Sequence, residues 1–187
     1  MTFRDADLPA PFDSDHALHV VGRIGVVSAR LELCLAMMRW LIDEDETRPV
    51  TTLVMLRNED NARAIRREVD ARQWRASDDL WDVALGVHDR GIPLRGRITE
   101  WTHIAAGLLQ ERSDLMHSPW LKNEVGGFGE IVAGRLQTGD RQPVTIPALE
   151  HLNCRIEEAC EQFPILCVYV RLHSGPRNDV EPGTAHA

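Results

Sequence analysis

Residues 147–170 read PALEHLNCRIEEACEQFPILCVYV. Leu149, Leu152, Ile156, Ala159, Phe163, Leu166 and Val170 follow one another at intervals of three and four without a miss. A helix turns about 100° per residue, so this spacing lays all seven on one face. Pro147 stands in the first turn, where its missing N–H would have no helical partner anyway. A face this continuous must pack on another helix, of the same chain or of a partner. Pro164 falls inside the pattern and predicts a kink or a restart there.

Working outward, the same periodicity recurs upstream. Ser14 is an N-cap for a long helix to about Asp43, with Val20, Ile24, Val27, Leu31, Cys34, Met38 and Leu41 on one stripe. The acidic run 43–46 and Pro49 end it. Thr51 or Thr52 opens a second helix to about Trp74, with Val54, Ile65 and Val69 near one face. A shorter segment, about 78–90, follows Ser77-Asp78-Asp79 and is broken by Gly91 and Pro93. Another helix runs from Leu94 or Ile98 to His117, with Trp101, Ala105, Leu108 and Leu115 on its stripe. Between 121 and 146, five glycines punctuate Ile131-Val132 and Val144-Thr145-Ile146, which predicts a two-stranded ribbon at about 128–146 with Gly139-Asp140 at its tip. The expected fold is all-α: a bundle of four to five helices with a small β-ribbon inserted before the last one. Residues 1–13 read as a flexible acidic leader, 14–173 as one helical domain, and 174–187 as a disordered tail.

Composition narrows the function. In 187 residues, Asp and Glu number 29 against 21 Lys and Arg, a formal net charge of −8. General coating of DNA needs a net basic face, so that class is excluded, though a local basic patch is not. All the cations but Lys122 are arginine, which fits genomic base composition. The cysteines at 34, 154, 160 and 167 form no Cys-x-x-Cys. They read as buried thiols of a reducing compartment, not as a disulfide frame or a zinc site. The proline-bearing acidic N-terminus is no secretory signal, and no apolar run is long enough to span a bilayer. A cytoplasmic protein is expected.

The most informative stretch for chemistry is Leu109-Gln-Glu-Arg112-Ser-Asp-Leu-Met-His117-Ser-Pro-Trp120. Arg112 occupies a position of an apolar stripe, where a guanidinium needs a partner or an exposed cleft. His117 follows five residues later at the helix end, because Pro119 disfavours helix at Ser118. Five residues turn a regular helix by about 500°, so the two side chains start about 140° apart. They can flank one groove or meet a two-fold mate across it. Arginine and histidine suffice to cleave RNA without metal. The imidazole takes the proton of a ribose 2′-hydroxyl or gives one to the leaving oxygen. The guanidinium holds the phosphate and its developing charge.

Arg112-x4-His117, at a helix end before Ser118-Pro119-Trp120, resembles the Arg-x4–6-His motif of HEPN domains. The long first helix and all-helical plan are similar too. Many HEPN domains are metal-independent endoribonucleases of toxin–antitoxin, defence and RNA-processing systems, and they usually dimerise so that two motifs line one cleft. Others are non-catalytic binding or scaffold modules. The resemblance implies His117 as general acid/base and Arg112 as phosphate anchor, with Ser113, Asp114 and Glu32 in support. It also implies RNA as substrate, a homodimer, and a protein partner such as an antitoxin. Ser113 stands where active members most often carry Asn, Asp or His.

Each residue also has a structural alternative. Arg112 can pair with a carboxylate such as Glu32, and His117 can serve the carboxyl end of its helix, where a cation is favoured. Glu32 can be an exposed helix carboxylate. The arginines at 57, 63, 66, 67, 72 and 75 can contact phosphate, but four acids among them favour ion pairs on a solvated helix. Trp101 and Trp120 can stack bases, though core roles suit them better. His16 and His19, three apart, lack further ligands, so no metal and no cofactor is expected. Gly126-Gly-Phe-Gly129 lacks the context of a phosphate loop.

Overall fold

The computed structural model describes residues 15–43, 49–74, 94–117, 120–122, 130–134 and 141–177. Five helices lie among these residues. They are α1 (Asp15–Asp43), α2 (Val50–Val54), α3 (Asn58–Ala71), α4 (Leu94–His117) and α5 (Ile146–His173). The protein is an all-α helical bundle with short strands at its loops. The strands are β1 (Arg72–Trp74), β2 (Trp120–Lys122), β3 (Glu130–Gly134), β4 (Arg141–Thr145) and β5 (Ser174–Arg177).

The chain groups into two compact units. One takes residues 1–31 and 107–158, the other 32–106 and 159–187. The divisions fall inside α1, α4 and α5, so sequence punctuation does not mark them. In the first unit, Val20, Ile24, Leu31, Leu108, Leu109, Leu149, Leu152 and Ile156 are buried. Parallel ion pairs tie α1 to α5 here: His16 Nε2 to Glu150 Oε1 at 3.0 Å, and Arg23 to Glu157 at 2.7 Å. The ribbon expected at 128–146 is present as β3 against β4, antiparallel, with Ile131 opposite Val144. β2 adds a third strand, Leu121 opposite Val132. The expected tip, Gly139-Asp140, lies outside the described residues.

In the second unit, Leu35, Met38, Ile42, Leu53, Ile65, Val69, Ile98, Trp101, Phe163 and Val170 are buried. Trp101 packs on Phe163 with ring centroids 5.8 Å apart, and its Nε1 donates to the Ala159 carbonyl at 2.8 Å. That is the core role favoured for it. The single helix expected from Thr51 to Trp74 is interrupted, because Arg57 is extended (ψ 140°) and starts a new helix. The break leaves the end of α2 with unmatched carbonyls. The Leu53 carbonyl takes two donors, the Leu56 N–H at 3.2 Å and Asn61 Nδ2 at 2.8 Å, and Asn61 Oδ1 accepts from Arg39 Nη1 at 2.9 Å. Arg39 also pairs with Asp43 one turn on. Helix ends are closed in the same way elsewhere. Arg72 Nη2 donates to the Ile42 carbonyl at the end of α1, and Trp74 Nε1 to the Val69 carbonyl at the end of α3. A cation at a helix carboxyl end also meets the favourable end of the dipole.

The tail expected from Ser174 is corrected at its start. Ser174–Arg177 forms β5 and pairs antiparallel with β1, Arg72 opposite Arg177. Ladder bonds use backbone groups, so four residues can pair with no apolar rhythm to announce them. Residues 178–187, the leader 1–13 and the segment expected at about 78–90 lie outside the described residues. All seven stripe residues of α5 are buried, and the helix runs through Pro164, which is exposed. Cys154 is exposed and Cys167 half-buried, so only Cys34 and Cys160 are core thiols.

The first helix carries a feature that its core stripe conceals. Leu18, Gly22, Val26, Ala29, Leu33 and Met37 are all exposed, Val26 by 73%. Their intervals of four and three form a second apolar stripe along α1.

Candidate functional site

Arg112 lies on α4 between Leu108 and Leu109 on one side and Leu115 on the other, all three buried. Arg112 itself is half-buried. The helical period forces this position on it: three or four residues from each leucine, it must point along their face. The leucines flank it on both sides, and its Nε is buried.

Two neighbours of Arg112 on α4 make side-chain hydrogen bonds along and across the helices. Glu111 Oε2 accepts from Arg155 Nη1 of α5 at 3.0 Å. Asp114 Oδ1 accepts from Gln110 Nε2, one turn earlier, at 2.8 Å. Ser113 and Asp114 are half-buried. The two candidate supports next to the arginine thus sit in the same unit, and Asp114 is oriented along its own helix.

His117 is the last residue of α4. Helix persists through it, so Arg112 and His117 are separated by about 7.5 Å of rise and about 140° of turn. One helix therefore does not bring them to one face. Three residues on, the chain enters β2, so His117 stands at the junction of helix and sheet. Its side chain lies outside the described residues, as does that of Trp120.

Glu32 falls in the other unit. It is half-buried, and Asn58 Nδ2 donates to its Oε1 at 3.5 Å. The arginines of α3 are largely engaged with acids: Arg63 with Asp60 at 3.6 Å, and Arg67 with Glu68 at 3.2 Å. Asp70 in turn holds Arg95 at 2.6 Å. These are the ion pairs of the structural alternative. Arg75 lies outside the described residues.

Among the described residues, no group of three or more His, Cys, Asp and Glu side chains converges as a metal-ligand set. His16 is held by Glu150, and His19 is exposed. Burial pushes the Cys167 thiol up to about 11, against the opposing charge of Arg171, so it is a poor nucleophile at neutral pH. No helix among the described residues is long and apolar enough to cross a membrane.

Sequence reasoning found Arg112 and His117 through period and motif. It missed Asn153, whose side chain is buried on α5 in the same unit. The signal that could have found it is the period: the residue stands four after Leu149 and three before Ile156, on the face of the α5 stripe. Compared with known proteins, the chain matches no protein-family model, no curated protein and no solved structure.

Proposed function

We propose that this chain is a HEPN-like endoribonuclease that cleaves RNA through the ribose 2′-hydroxyl without a metal, in a toxin–antitoxin or defence setting. The observation that supports it best is Arg112, half-buried in the middle of an otherwise buried stripe, on the helix that ends at His117. His117 takes the 2′-hydroxyl proton, and the 2′-oxygen attacks the adjacent phosphorus. The bond to the 5′-oxygen breaks, that oxygen takes the proton back from the now-protonated His117, and a 2′,3′-cyclic phosphate remains. Arg112 grips the phosphate and its developing charge. The turn of about 140° between the two positions on α4 favours a homodimer, in which His117 of one copy and Arg112 of the other share a groove. The exposed stripe of α1 suits such pairing. Turned antiparallel about a two-fold near Val27, two copies set Leu33 over Gly22 and Val26 over Ala29.

The test is cleavage of a mixed RNA pool in EDTA, wild type against His117→Ala. Cleavage by wild type alone, leaving 2′,3′-cyclic phosphate ends, is expected. Equal cleavage by both would locate the activity elsewhere. The second reading is a non-catalytic scaffold module on the same fold. The exposed apolar stripe of α1 and the small Ser113 beside Arg112 favour it. It predicts intact RNA and a protein partner, such as an antitoxin, that covers α1.

A further inference from the structure

We draw no further inference here: the strongest candidate, the exposed apolar turn Val54-Met55-Leu56 at the junction of α2 and α3, braced from beneath by Asn61 and Arg39, carries nothing because nothing in the structure shows what covers it.

Discussion

At the scale of single residues, the motif makes the sharpest demands. His117→Ala should lower kcat/KM for RNA by about 10²–10⁴, the usual contribution of a positioned acid/base. Arg112→Lys keeps the charge but loses the planar fork, so it should lose nearly as much activity with little change in folding by circular dichroism. The thiols give an independent check on burial. With a pKa raised to about 11, Cys167 is only about one part in a thousand thiolate at pH 8. Exposed Cys154 should therefore react first with iodoacetamide, and alkylation of Cys167 should rise steeply only as pH approaches 11, as read by peptide mass. Equal rates at pH 8 would contradict the placement of Cys167. Arg112 could be picked out from the sequence because it interrupts a stripe whose period was already known. Asn153 interrupts the α5 stripe at the same offsets, four after Leu149 and three before Ile156, so the period marks it too, but a neutral amide raises less question there than a guanidinium.

At the scale of elements, period and punctuation foretold most of what is seen. Three long helices carry their apolar rows where spacing put them, and glycines bracket the β3–β4 ribbon. The interruption between α2 and α3 was not foretold. Residues 50–56 hold no Gly or Pro to punctuate a break, although the β-branched Val50, Thr51, Thr52 and Val54 are weak helix formers. What fastens the break is Asn61, held by Arg39, which adds a second donor to the Leu53 carbonyl beside the Leu56 N–H. Asn61→Leu should therefore destabilise the protein by about 1–3 kcal/mol in urea unfolding, more than a surface asparagine would. A cost below about 0.5 kcal/mol would mean that the break is held by something else. The second row of α1 was hidden for a related reason. A helix apolar on two sides shows a clear period for one row, and the other passes as background.

At the scale of the whole molecule, the second row of α1 has a measurable consequence. If two copies meet there, Val26→Glu should shift the mass in light scattering from dimer toward monomer and leave the thermal midpoint within about 2 °C. RNA cleavage should fall with the dimer, because the groove needs both copies. An unchanged mass would leave α1 to another partner. The division of the chain into two units was invisible in the sequence, because it falls within helices whose patterns run on unbroken.

The pairing of β1 with β5 bears on how the molecule comes into being. Arg72 meets Arg177 across more than a hundred residues of intervening chain. Closing so long a loop is entropically unfavourable, and contacts of that range form slowly. During synthesis β1 emerges early, and its complementary edge does not exist until those later residues have followed. The short strand after α3 therefore spends the whole of that interval with open backbone groups, the condition under which a growing chain is most exposed to pairing with a neighbour.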